Sequence, residues 1–277
     1  MDKVTVGEIL QSKGRRRISM LTAYDYPLAG IVDKAGVDII LVGDSLANVV
    51  LGLSSTKEVG MREMLYHTRA VTRAARRALV VGDMPYEAYQ DKSAPEAREN
   101  AQRFIREAKA DAVKLEWCDR CLEITRAIAG AGIAVMGHIG LTPQTADKLG
   151  GFKVQGRDAE AARRLIKQAQ DLEGRGCFSI VLECVPDKIA AMITQAVSIP
   201  TIGIGAGPGC DGQVLVTHDM LGLFDRFVPK FVKRYVDLSR SISEAVKLYK
   251  QEVEQGKFPG PEHAFGIKKE ELDRVAG

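Results

Sequence analysis

The chain has 277 residues, 45% hydrophobic and 27% charged, with 39 basic and 36 acidic side chains for a net charge of +3. That length can bury a sizeable core, and the near-neutral balance argues against a nucleic-acid surface; the only dense basic run is Lys13-Gly14-Arg15-Arg16-Arg17. The opening MDKVTVGEIL has no apolar signal core, and no run reaches the ~18–20 apolar residues of a membrane span, so a cytoplasmic protein is expected.

Along the chain, Thr5-Val-Gly-Glu8 is a capping box for a short first helix. The basic run 13–17 reads as a solvated loop, with a phosphate or partner contact as the alternative. Strands are expected at 19–23, 38–43, 79–82, 111–116, 133–138, 179–183 and 201–205, with a weaker one at 213–217. Each is a short apolar run rich in β-branched residues rather than an alternating one, the pattern of parallel strands covered on both faces. Helical stripes fill the gaps. Met64, Leu65, Thr68 and Val71 mark one from Met61 to Ala75, and Ser93-Ala-Pro-Glu96 caps another through Ala97, Ala101 and Phe104. Asp158 precedes a stripe of Ala162, Leu165, Ile166, Ala169 and Leu172, and a long amphipathic helix with Ile242, Ala245, Val246 and Tyr249 closes the chain.

Eight strands, each followed by a helix, predict a (β/α)8 TIM barrel in one domain over 1–277, with a short N-terminal helix and a C-terminal helical extension. An open doubly wound sheet would carry a Gly-rich turn after its first strand, where this chain has Ala23-Tyr24-Asp25-Tyr26-Pro27.

Barrel active sites lie at the C-terminal strand ends. In order, those ends carry Thr22, Tyr24 and Asp25, then Asp44-Ser45, Asp83, Lys114 with Glu116, His138, Glu183, and the glycines of 203–209. Helix capping explains any one acid, Asp44 included, but explains Glu116 and Glu183 poorly because Glu is a weak N-cap. Asp44, Asp83 and Glu116 on adjacent strands would repel unless a cation sat between them, and oxygen-only ligands favour a hard ion such as Mg2+. Lys114 could balance these acids or hold a substrate carboxylate, and Glu183, across the mouth, is the candidate general base. His138 is either a supporting residue or a satisfied core histidine; His67 and His263 read as structural. The segment 202–212 is the densest glycine cluster and reads either as a phosphate-binding loop or as a tight turn. Five cysteines with no secretory signal suggest reduced thiols, and Cys118-Asp-Arg-Cys121 reads as helix-surface cysteines, with zinc or redox chemistry as alternatives.

LTAYDYPLA (21–29), LVGDSLANVVLG (41–52), MLYHTRAV (64–71), VVGDMPY (80–86), DAVKLE (111–116), VMGHIGLTPQ (135–144), GGFKVQGR (150–157), IVLECVP (180–186), IGIGAGPGCDGQVLV (202–216), HDMLG (218–222) and PKFVKRY (229–235) closely resemble the ketopantoate hydroxymethyltransferase family in order and over nearly the whole chain. The resemblance implies a barrel of the phosphoenolpyruvate/pyruvate type. It also implies transfer of a one-carbon unit from 5,10-methylenetetrahydrofolate to 3-methyl-2-oxobutanoate, giving 2-dehydropantoate in pantothenate biosynthesis. It further implies Mg2+ held by Asp44 and Asp83 with Glu116 in or beside its shell. Ser45 and Lys114 would contact the substrate carboxylate, Glu183 would abstract the proton, His138 and Tyr24 would support the site, and the assembly would be a homo-oligomer, commonly a decamer. No membrane or nucleic-acid partner is expected.

Two segments depart from the family pattern: Trp117-Cys118 after Glu116, and Lys57-Glu-Val-Gly60-Met leading into the helix expected from Met61 to Ala75. The nearest rival is a Mg-dependent carbon–carbon lyase or mutase of the same superfamily. Those lyases use a lid cysteine between strands three and four, and no cysteine occurs here before Cys118. A catalytically silent scaffold would be expected to lose the acids, which this chain keeps.

Overall fold

The computed structural model describes residues 2–277. Eight parallel strands close into a barrel in sequence order: β1 Ile18–Thr22, β2 Ile39–Val42, β3 Leu79–Asp83, β4 Ala112–Glu116, β5 Ala134–Gly140, β6 Cys177–Glu183, β7 Thr201–Ile204 and β8 Gly212–Leu215. The expected (β/α)8 TIM barrel is the observed fold. Its helices are α1 Val6–Gln11, α2 Tyr26–Lys34, α3 Leu46–Val49, α4 Met61–Ala74, α5 Tyr86–Tyr89, α6 Ala94–Arg106, α7 Cys121–Ala129, α8 Ala159–Gly174, α9 Asp187–Ala196, α10 Thr217–Met220, α11 Leu238–Glu254 and α12 Lys269–Ala276. The capping boxes of α1 (Thr5, Glu8) and α6 (Ser93, Glu96) form as read, and Asp158 caps α8 through the Ala161 N–H. No helix among the described residues is long and apolar enough to cross a membrane.

Two cores hold the barrel. Ile39, Leu41, Leu79, Val81, Ala112, Met136, Val181 and Ile202 fill its interior, and α1 closes the bottom with Ile9. Strand alternation carries the same inner face upward. Above Val81 stands Asp83, above Ala112 stand Lys114 and Glu116, above Met136 stands His138, and above Val181 stands Glu183. The inner face is therefore apolar at the bottom and charged at the top. Outside, the helices bury Met64, Leu65, Phe104, Ile124 and Leu172 against the strands.

The wall departs from the expected alternation on one side. No helix separates β7 from β8. The glycine-rich segment instead runs down beside α9: a Cβ on Gly207 would stand 2.5 Å from the Asp187 Cβ, and one on Gly209 would stand 2.8 Å from the Ala191 Cβ. Gly207 also has φ +75°, so glycine is required there twice over. The segment is a close-packed crossover, and its contact with α9 accounts for glycine at these two positions as a structural turn. Beyond β8, α11 buries none of its residues, and the outer sides of β1 and β8 at Ser19 and Gln213 are exposed.

The basic run is also not a free solvated loop. Lys13 pairs with Asp211 at 2.8 Å and Arg16 with Asp38 at 2.9 Å, while the Arg17 guanidinium donates to the Cys210 carbonyl. These contacts tie the loop under the barrel. Cys118 and Cys121 are buried rather than on a helix surface, and contact with Cys121 together with burial pushes the Cys118 pKa up, which keeps it a thiol.

Candidate active site at the barrel mouth

Ladder register brings the site residues together in neighbouring pairs. Asp83 lies opposite Lys114, Glu116 opposite His138, and Gly140 opposite Glu183. The Lys114 ammonium donates to both oxygens of Asp83 at 2.7 Å, and both side chains are buried. Burial pushes Asp83 up to about 7 against the pull of Lys114, with the nearby Asp44 adding to the rise. Burial alone would discharge Lys114, but Asp83, Glu116 and Asp44 outweigh it and hold the ammonium firmly protonated.

Asp44 follows β2 and is buried. Its Oδ2 accepts from Gln144 Nε2 at 2.8 Å, and its N–H donates to Asp83 Oδ2 at 3.2 Å. The N-cap position of α3 belongs to Ser45, which makes no side-chain capping bond. Asp44 therefore does not serve as a cap. Ser45 Oγ instead shares a 2.8 Å hydrogen bond with the buried Tyr24 hydroxyl, and the Tyr24 carbonyl meets His67 Nδ1 at 2.6 Å. His67 thereby anchors Tyr24 from behind.

Glu116 is fully buried; Oε2 accepts from the Gln144 N–H at 3.0 Å, while Oε1 has no hydrogen-bond partner. Burial, reinforced by the charge of Asp44, raises its pKa well above the carboxylate range. His138 bridges the floor of the mouth, with Nδ1 3.6 Å from Glu116 Oε1 and Nε2 3.2 Å from Glu183 Oε2. Burial, followed by the charge of Lys114, drives the His138 pKa well below its usual value, so the ring is neutral. Glu183 is 16% exposed, and burial pushes its carboxyl up to about 7. Its backbone is set by a close approach: a Cβ on Gly140, at φ +93°, would stand 2.3 Å from the Glu183 carbonyl oxygen. The Leu141 N–H donates to that oxygen at 2.8 Å.

All eight residues singled out in the sequence thus fall within one mouth, on or just after β1 to β6. No three acidic, histidine or cysteine side chains among the described residues converge tightly enough to enclose an ion unaided. The donor set at the acids is oxygen only. An ion here would take two carboxylates and complete its shell with water and substrate oxygens, as Mg2+ does. Gln144 and Tyr89 were not legible as site residues: both are uncharged, and both lie beyond the strand ends, in the turn after β5 and in α5. The departing segment near residue 57 is well anchored. Lys57 pairs with Asp147 at 2.9 Å and lies 5.0 Å from the centre of the Tyr86 ring.

The solved structure of phosphonopyruvate hydrolase in complex with oxalate and Mg2+ superposes with a TM-score of 0.60 at 13% identity, covering 98% of this chain and 95% of that one. At that identity the likeness concerns the fold. Among curated relatives, the 3-methyl-2-oxobutanoate hydroxymethyltransferase of Syntrophobacter fumaroxidans is 59% identical over 276 residues, covering 100% of this chain and 98% of the relative. The enzyme of the same name from Syntrophomonas wolfei is 55% identical over 276 residues, covering 99% and 100%. The profile of the ketopantoate hydroxymethyltransferase family matches residues 3–261, and the chain belongs to that family.

Proposed function

We propose that this mouth binds 3-methyl-2-oxobutanoate and transfers to it a hydroxymethyl unit from 5,10-methylenetetrahydrofolate, giving 2-dehydropantoate for pantothenate biosynthesis. The observation that carries this reading is the pairing, within one mouth, of a partly open carboxylate poised near neutrality, Glu183, with the buried acid and ammonium cluster of Asp44, Asp83 and Lys114.

Asp44 and Asp83 would hold a divalent cation, with Glu116 in or beside its shell. The fit rests on the unpartnered Glu116 Oε1 and on two further acids whose burial has no matching number of positive charges. The oxalate of the phosphonopyruvate hydrolase complex offers two adjacent oxygens, as a 2-oxo acid does, and its Mg2+ supports the choice of ion. When bound, the cation supplies positive charge at the keto oxygen, which acidifies the C3–H.

The chain's own groups do the rest. Ser45, oriented by Tyr24, and Lys114 receive the substrate carboxylate. Glu183 takes the C3 proton, and a base poised near 7 is ionised in useful amounts at neutral pH while still able to accept a proton. Neutral His138 stands beside the base, its Nε2 3.2 Å from Glu183 Oε2. C3 then bonds to the methylene carbon delivered by the folate, and water replaces the folate nitrogen on that carbon, which leaves the hydroxymethyl group and releases tetrahydrofolate.

A carbon–carbon lyase or mutase acting on a 2-oxo acid is less supported, because relatives at 51–59% identity carry the transferase name. We also infer a cytoplasmic homo-oligomer, of the decameric size the family resemblance implies, in which a neighbouring subunit covers the bare apolar side of α11. Incubation with 3-methyl-2-oxobutanoate, 5,10-methylenetetrahydrofolate and Mg2+ tests the reaction. Formation of 2-dehydropantoate is expected; no product, together with cleavage of a 2-alkylmalate-type acid, would replace the transferase with a lyase.

A further inference from the structure

Gln144 carries no charge and takes no part in the steps above, yet it ties the acids together. It is fully buried in the short turn Pro143–Thr145 after β5. Its N–H donates to Glu116 Oε2 at 3.0 Å. Its side-chain Nε2 donates to Asp44 Oδ2 at 2.8 Å and to the Met84 carbonyl at 3.0 Å. Its Oε1 accepts from the buried Tyr89 hydroxyl at 2.6 Å.

The direction of each bond follows from its partners. The Glu116 N–H, 3.1 Å from the Tyr89 hydroxyl, can only donate, so that hydroxyl accepts there and has its proton free for Gln144. The group receiving that proton is the amide oxygen. The Met84 carbonyl can only accept, so the amide nitrogen faces it. Two independent partners thus fix the amide in one orientation, and the remaining N–H points at Asp44 Oδ2. One carboxylate oxygen of Asp44 is engaged and the other is left over, while the same residue's backbone holds one oxygen of Glu116.

We propose that Gln144, locked by Tyr89, is a positioning residue that sets Asp44 and Glu116 in a single frame and so presents the second oxygen of Asp44 to a divalent cation. The proposal rests on the cation reading above. A packing role alone would predict something different: Gln144→Met, of similar volume, would lower stability and leave the ion affinity of the folded protein unchanged.

Titration of the full-length protein with Mn2+, following the free-ion signal by electron paramagnetic resonance, reads ion affinity without turnover. Gln144→Met is expected to weaken Mn2+ binding by about ten- to a hundredfold, the usual consequence of removing the partner of a metal ligand. Tyr89→Phe is expected to weaken it in the same direction by less, because the Met84 carbonyl still orients the amide. In an Asp44→Ala background, Gln144→Met should add no further loss. Wild-type Mn2+ affinity in Gln144→Met, or an undiminished loss in the Asp44→Ala background, would overturn the proposal. Should Gln144→Met fail to fold, Tyr89→Phe decides, and unchanged affinity there overturns it. Equal binding by wild type and Asp44→Ala would overturn the cation reading and this proposal together, whereas binding lost in Asp44→Ala but kept in Gln144→Met overturns this proposal alone.

Discussion

The two sides of the barrel wall are built differently. From β2 to β6 every strand is backed by helices, its middle residues are buried, and its upper end carries an acid, a lysine or a histidine. From β7 through β8 to β1 a glycine crossover replaces one helix, α11 stands clear of the strands, and Ser19 and Gln213 face outward uncovered. The charged side needs rigid backing, since buried ionised groups stay paired only if neither partner can move away. The open side carries no buried ion pair at its upper end and can be left for other contacts.

From that contrast, the largest loss of stability should come from unpairing a charge on the backed side. Lys114→Met leaves Asp83 buried without its counter-charge and is expected to cost about 3–5 kcal/mol, measured by urea unfolding at pH 8, where Asp83 would otherwise ionise. Adding Asp83→Asn should restore most of that. A cost below ~1 kcal/mol would mean that water reaches the pair and that the two sides do not differ as described.

On the open side the effect should be smaller and purely structural. Gly207→Val forces a β-branched residue into a left-handed backbone against Asp187, at a cost of about 2–3 kcal/mol. Proton exchange from the substrate by the folded fraction should be unchanged. Loss of exchange in folded Gly207→Val would bring the crossover into the site after all. The smallest effect on the protomer belongs to Ile242→Asp, which alters a half-exposed position of α11 and should change its stability by less than ~0.5 kcal/mol. Its expected consequence is dissociation of the oligomer by light scattering. A wild-type protein that is already monomeric would remove the proposed covering of α11.

The same contrast explains what was legible in the sequence. The backed strands announce themselves as unbroken apolar runs, and a parallel barrel gathers whatever ends those runs at one mouth, so Asp44, Asp83, Glu116 and Glu183 could be read together. Charge made them conspicuous. Gln144 and Tyr89 also bond to these residues, but a neutral amide in a turn and a phenol at the end of a short helix resemble ordinary solvated or packing residues. The open side misled for a different reason. Glycines that admit a phosphate and glycines that admit a neighbouring helix have the same composition, although seven residues between Ile204 and Gly212 leave no room for a packed helix. The cysteines misled similarly, because CxxC spacing does not say which way the first turn of α7 faces.

Removal of the C3 proton of 3-methyl-2-oxobutanoate by Glu183 is tested by deuterium exchange at C3, followed by proton NMR in D2O with Mg2+ and no folate. Burial holds the Glu183 carboxyl up to about 7, so the base is protonated below that value and exchange should rise with pH through it. Glu183→Gln should slow exchange by about 10²–10⁴-fold while the keto acid still binds in a Mg2+-dependent way. Exchange in Glu183→Gln at the wild-type rate would contradict the account.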